Sequence, residues 1–266
     1  MIHEHALERY SDGQSIIHRL EPRVKVVMTL LFILAVVTLP DGAWLALGLA
    51  WLFVLALNLL AELGPTYSLK RSFVALPFAL AAVTIIFTLP GQPLFSFTLG
   101  SWQLRATDAG LLRFSSILIR SWIAIQMAIL LTATTRFPDL LHALRHLRMP
   151  SLIVAIISFM YRYITVLADE TQRLMRAREA RSAGLEGQHA GGSLQWRARV
   201  VGNMAGQLFL RSYERSERIY SAMQARGFAG EFLTLNPHIM RRPDWLAAAT
   251  GLAALMLLAV LGRFRL

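Results

Sequence analysis

Arginine is the side chain through which this sequence most plainly offers chemistry, and two of its arginines are framed alike. "EARSAG" sets Arg181 between Ala180 and Ser182, and "QARGFAG", 45 residues further on, sets Arg226 between Ala225 and Gly227. A guanidinium presents five donors in a planar fork, suited to carboxylates, backbone carbonyls or phosphate. Small neighbours let another surface approach that fork closely. The same residues also have a plainer use, because Gly184 and Gly227 suit helix termination and a cation gains from the helix dipole at a carboxyl end. Docking of a partner and capping of a helix both fit these residues.

The other reactive residue types are sparse. There is no cysteine, which excludes disulfides, thiolate metal sites and cysteine nucleophiles. The only lysines are Lys25 and Lys70 and no G-x-x-x-x-G-K-[ST] occurs, so the chain has no P-loop with which to hydrolyse ATP. H-E-x-x-H, G-x-S-x-G and paired intramembrane aspartates are also missing. His3 and His5 flank Glu4, and His142 and His146 lie four apart on one helix face. Metal sites usually need a third or fourth convergent ligand, so these pairs read as a polar terminus and as surface histidines, and no metal ligand set is assigned. No cofactor is expected to bind this chain directly.

The elements that position the arginines follow from composition. Of 266 residues 55% are hydrophobic and 16% charged, with a mean hydropathy of +0.49. Such a chain belongs in a lipid bilayer. The net charge of +11 lacks an aromatic-interleaved basic stripe, which excludes nucleic acid as the expected partner. Five apolar runs, 24–39, 42–61, 73–89, 115–135 and 245–262, approach the ~20 residues needed to cross the hydrocarbon. The polar, acid-bearing amino terminus is not a removable signal peptide on this reading.

Charge orients the spans. Arg19, Arg23 and Lys25 precede the first run, Lys70 and Arg71 lie between the second and third, and 136–244 holds 16 arginines against 9 acids. Five spans put all of these on the cytoplasmic side. The run 151–170 is also long enough to cross, but crossing would export every later arginine up to Arg242. It is therefore expected to pack on protein or dip at the interface, with its apolar side inward and Arg162 at its rim. Arg120 is the one charge deep in a span, near its outer end, where a long side chain can snorkel. The segment 90–114 is expected outside, as a short re-entrant or hairpin element.

The basic segment 136–244 carries helical periodicity. Pro138 opens a short amphipathic helix over 137–149, Pro150 opens one running to about 183, and a glycine-rich break at 184–193 precedes a third from Leu194 to about Ala225. The expected organisation is an amino-terminal segment with four spans (1–135), a cytoplasmic coupling domain of amphipathic helices (136–244) and a last span (245–266). The fold class is an all-α integral membrane protein.

With "SIIHRLEPRVKVV" (15–27) before the first span and two Ala-Arg-Gly-type signatures, the chain resembles the transmembrane T component of energy-coupling-factor (ECF) transporters, most closely the cobalt-uptake branch, CbiQ. Ala225-Arg226-Gly227 matches the signature fully, whereas Ser182 stands where glycine is usual. The resemblance implies an energy-coupling scaffold of a divalent-metal importer, cobalt before nickel, that is not itself an enzyme. It implies two cytosolic ABC-type ATPases that hold the ATP and receive Ala180-Arg181-Ser182 and Ala225-Arg226-Gly227, a substrate-binding S component, and a small accessory membrane subunit. It also implies the bacterial inner membrane, with a cytoplasmic amino terminus. A membrane enzyme or sensor binding an anionic lipid through the same arginines, and a stand-alone secondary transporter, are the alternatives.

Overall fold

The computed structural model describes residues 10–75, 77, 81–99, 102–181, 193–228 and 240–263. The described residues divide into two compact units, one formed by those up to Leu147 together with those from Met240 on, and the other by those from Arg148 to Phe228.

The first unit begins with the short helix α1 (Ile16–Arg19), then α2 (Pro22–Val37), α3 (Trp44–Leu60) and α4 (Pro65–Arg71). A 3-10 turn at Ser72–Ala75 and α5 (Thr84–Thr88) lead into a hairpin of β1 (Pro93–Leu99) and β2 (Trp102–Thr107). The long helix α6 (Asp108–Thr134) and the short α7 (Phe137–His146) follow. α10 (Arg242–Arg263) returns to the unit from the end of the chain. α2 packs on α6, α7 and α10.

Small and β-branched residues decide how closely these helices approach. Ala46, Ala50 and Val54 recur every four residues along α3 and are wholly enclosed, beside Phe32 and Val36 of α2, Ile123 and Leu130 of α6, and Leu255 and Leu258 of α10. In lipid such close packing, more than water exclusion, holds helices together. The outward positions Leu30, Leu34, Leu52, Leu59, Met256 and Leu257 are exposed and apolar, as a surface solvated by acyl chains requires.

At about 1.5 Å per residue α6 is roughly 40 Å long and α10 roughly 33 Å. Among the described residues three helices are long and apolar enough to cross a bilayer, namely α6, α10 and Ser151–Arg181, while Trp44–Leu60 is a shorter apolar helix. The third expected span, 73–89, departs from one regular α-helix, since it starts in the 3-10 turn and is α-helical at Thr84–Thr88. The segment 90–114 contains a hairpin as anticipated, with Phe97 opposite Leu104 and Leu99 opposite Trp102. The Thr107 hydroxyl then caps α6 by accepting from Gly110 N–H and donates to the Leu89 carbonyl at 2.9 Å. A side chain at Gly110 would strike the Ile86 carbonyl, so glycine is what lets α5 and α6 meet.

Two helices make up the described part of the second unit: α8 (Ser151–Arg181) and α9 (Leu194–Ala225). Their limits agree closely with the periodicity, and Ser193 caps α9 by accepting from Trp196 N–H. The anticipated glycine-rich break lies largely outside the described residues. The run 151–170 is part of α8, which length and composition alone admit as a crossing helix. Its apolar side is less enclosed than expected, since within α8 only Val154 and Ala155 are buried. A single neighbouring helix of the same unit cannot cover a stripe that spans so much of the circumference.

Candidate functional site

Arg226 stands at the C-cap of α9, and the helix ends there for a definable reason. Gly227 N–H donates to the Gln224 carbonyl at 2.9 Å and Phe228 N–H to the Met223 carbonyl at 3.0 Å. This pair of bonds is a Schellman motif, and it needs a left-handed residue after the cap. Gly227 supplies it with φ +78°. Nothing crowds a Cβ at that position, so the demand for glycine is conformational alone. Gly227→Ala is expected to cost about 1 kcal/mol, the left-handed penalty for an L-residue, read as faster hydrogen exchange in the last turn of α9 with the rest of the helix unchanged.

Capping uses the backbone of this turn and leaves the side chain of Arg226 free to act elsewhere. Ala225, Arg226 and Gly227 are all exposed, as are Ala180 and Arg181 at the end of α8. Neither guanidinium forms an ion pair with any described residue. Ser182 lies outside the described residues.

The two arginines are not brought together. α8 and α9 meet where Arg211 donates to the Glu170 carboxylate at 2.6 Å, with Arg173 at 4.0 Å from the same carboxylate. On one side of this pair they enclose an apolar groove of about 470 Å³, lined among others by Ile156, Phe159, Met160, Ile219, Tyr220 and Met223. The groove takes the early part of α8 and the late part of α9, so the helices run in opposite directions. Arg181 lies 11 residues beyond Glu170 and Arg226 lies 15 beyond Arg211, which at 1.5 Å per residue separates them by roughly 30 to 40 Å. The unit thus places the exposed guanidinium groups of Arg181 and Arg226 at two distant helix ends.

A second constellation gathers the polar residues of 15–27 in the first unit. Ser15 caps α1, and its hydroxyl lies 2.7 Å from His18 Nδ1. His18 Nε2 is 3.1 Å from the Ser11 carbonyl. A carbonyl only accepts, so Nε2 carries the proton and Nδ1 accepts from the Ser15 hydroxyl. Lys25 Nζ donates to the His18 carbonyl at 3.2 Å and to the Thr134 carbonyl at 2.9 Å. Buried Asp244 accepts from Glu21 N–H at 2.9 Å and from Arg241 N–H at 2.7 Å. One carboxylate thereby satisfies the residues that open both α2 and α10.

Burial, as the largest cause, lowers the affinity of His18 for a proton below the usual value near 6.5. The folded form therefore prefers the neutral ring, and its contribution to stability is complete above about pH 6.5 and is lost as pH falls below that value. Thermal stability in detergent should decline from pH 7 to pH 5, and the decline should be shallower in His18→Gln. Equal slopes in the two proteins would exclude His18 as the group responsible.

The remaining candidates resolve simply. Arg120 pairs with Asp41 at 2.7 Å, with Arg113 3.9 Å from the same carboxylate. His142 and His146 share a face of α7 with ring centres 4.7 Å apart, and no group of three potential metal ligands converges among the described residues. His3 and His5 lie outside them. Asp41, Asp12 and Asp244 escape a reading by sequence, although Asp244 in "RRPDW" bears a signal, an acid at the third helical position just after a first-turn proline.

Fold and site together define a multi-pass α-helical membrane protein that carries an antiparallel amphipathic helix pair ending in exposed arginines. Residues 13–238 match the CbiQ family model, described as cobalt transport protein, and the chain belongs to that family. It is similar to the energy-coupling factor transporter transmembrane protein EcfT of Listeria innocua, 29% identical over 240 residues that cover 86% of this chain and 87% of the relative. It is also similar to the protein of that name from Lacticaseibacillus paracasei, 28% identical over 96% of this chain and 97% of the relative. The Thermosediminibacter oceani counterpart is 28% identical over 94% and 96%.

Proposed function

We propose that this chain is the energy-coupling transmembrane component of an ATP-driven ECF-type importer of divalent metal, cobalt before nickel. The observation that carries the reading is the pair of exposed guanidinium groups at opposite ends of α8 and α9, in a member of the CbiQ family. Two cytosolic ABC-type ATPases dock on them, one at Ala180-Arg181-Ser182 and the other at Ala225-Arg226-Gly227. A spacing of tens of ångströms suits two separate grooves on an ATPase dimer better than one site on a single protein.

ATP binds and is hydrolysed at those partners, and this chain acts as a non-catalytic transmitter. Opening and closing of the dimer moves α8 and α9, and the spans pass that motion to a substrate-binding S component, with a small accessory membrane subunit completing the complex. The metal is cargo selected by the S component. The positive charge of 136–244 supports a cytoplasmic α8 and α9, with five spans and a cytoplasmic amino terminus in the bacterial inner membrane.

The test is reconstitution in liposomes with co-purified partners. Cobalt accumulation that requires ATP and both partner types supports the reading. Accumulation with this chain alone would identify a secondary transporter, and turnover or lipid binding by the isolated chain would favour a membrane enzyme or sensor.

A further inference from the structure

The joint between α6 and α7 is two residues long. Thr135, at φ −134° and ψ 124°, and Arg136, at φ −68° and ψ 146°, are both extended. Two extended residues between helices form a soft hinge unless something holds them, since rotation about their dihedrals breaks no helical hydrogen bond. α6 also lacks the glycine motif that closes α9, so its last carbonyls need partners from elsewhere.

Those partners come from the amino-terminal segment and from α2. Ser11 N–H donates to the Ala133 carbonyl at 3.0 Å, and Lys25 Nζ donates to the Thr134 carbonyl at 2.9 Å. Arg136 donates to the Asp12 carboxylate at 3.1 Å and lies over the Tyr10 ring, 5.0 Å from its centre. His18 Nε2 holds this amino-terminal segment through the Ser11 carbonyl, and Lys25 bonds the carbonyl of the same histidine. Among the described residues Lys25 thus joins the His18 carbonyl to the joint from α2, and it is buried while Asp12 and Arg136 are exposed.

We propose that Lys25 is a positioning residue for energy coupling, which locks the Thr135-Arg136 joint so that α6 and α7 move as one. This rests on the reading of the chain as an energy-coupling component. Along the chain α7 is the last helix before α8, so displacement of α8 reaches α6 through this joint. A locked joint transmits the displacement, and an unlocked one absorbs it in two residues. The exposed Asp12–Arg136 pair adds little by itself, whereas a charge-assisted bond from a buried ammonium is worth about tenfold or more in a local opening equilibrium.

The experiment uses the whole reconstituted transporter and counts metal taken up per ATP hydrolysed, per assembled complex. Lys25→Met keeps the length and removes the ammonium. It should retain ATP hydrolysis while uptake per ATP falls about tenfold or more, with faster hydrogen exchange confined to residues near 134–140. Lys25→Arg should recover most of the ratio. A purely structural role would lower hydrolysis and uptake together, so an unchanged ratio in Lys25→Met overturns the proposal. If Lys25→Met does not assemble, Lys25→Gln decides, since it keeps a neutral donor and loses the charge, with a fall of about threefold or more expected and an unchanged ratio again overturning the proposal. Failure of the wild-type complex to couple ATP to uptake would instead overturn the function on which the proposal rests.

Discussion

Arg226→Glu is expected to weaken, without abolishing, the association of the chain with the ATPases proposed to dock on it, while leaving it in the membrane. The substitution places a carboxylate where a cation is proposed to meet acidic or carbonyl groups, and removing one partner of a buried charged contact typically costs 2–5 kcal/mol before repulsion is added. An affinity loss on the order of a hundredfold or more is expected at that arm. On the proposed two-armed docking, Arg181 retains part of the association by raising the local concentration of the second ATPase. Arg226→Glu alone should therefore give partial, salt-sensitive co-elution, and Arg181→Glu with Arg226→Glu should abolish it. Capping alone predicts a far smaller effect, because an exposed charge at a helix end is worth roughly 0.3–1 kcal/mol. Wild-type co-elution of the double variant from a detergent column would refute docking.

Asp244→Ala lowers the thermal stability of the protein more than any surface substitution. Its carboxylate is buried and accepts from two backbone N–H groups that open different helices, at Glu21 and Arg241. Hydrogen bonds to a charged group contribute about 1.5–3 kcal/mol each, so losing both costs on the order of 3–5 kcal/mol. For a chain of this size that corresponds to a fall of roughly 10 °C in the unfolding midpoint. Asp244→Asn keeps one acceptor oxygen and should fall about half as far. Size-exclusion profiles of detergent extracts after heating read both values, and a midpoint within 2 °C of wild type in Asp244→Ala would show that water replaces the carboxylate at those donors.

Where helices start and stop was legible to different degrees. α9 runs from Leu194 to Ala225, where the periodicity placed it, because Ser193 and Gly227 are local signals and local signals act within one turn. α8 likewise follows Pro150 to the arginine that ends it. The 73–89 run was legible as apolar, but its 3-10 start was not, since hydropathy carries no information on backbone geometry. The framing of Arg181 and Arg226 by small residues was plain in the sequence, but docking and capping could not be separated there. The structure shows that the backbone around Arg226 does the capping while its guanidinium stays exposed.

The sequence by itself determined that this chain lives in a bilayer, that its basic segment forms amphipathic helices, and that ATP chemistry by a P-loop lies outside its reach. These follow from composition, periodicity and missing residue types, which are sums over the chain or patterns within a few residues. Only the tertiary structure decided what Lys25, Asp41 and Asp244 do. Lys25 meets Thr134 across 109 residues and Asp244 meets Glu21 across 223. Such pairs obey no local spacing, because their partners are chosen by how helices pack once folded. A buried charge in lipid must find a partner somewhere, and the packing alone says which.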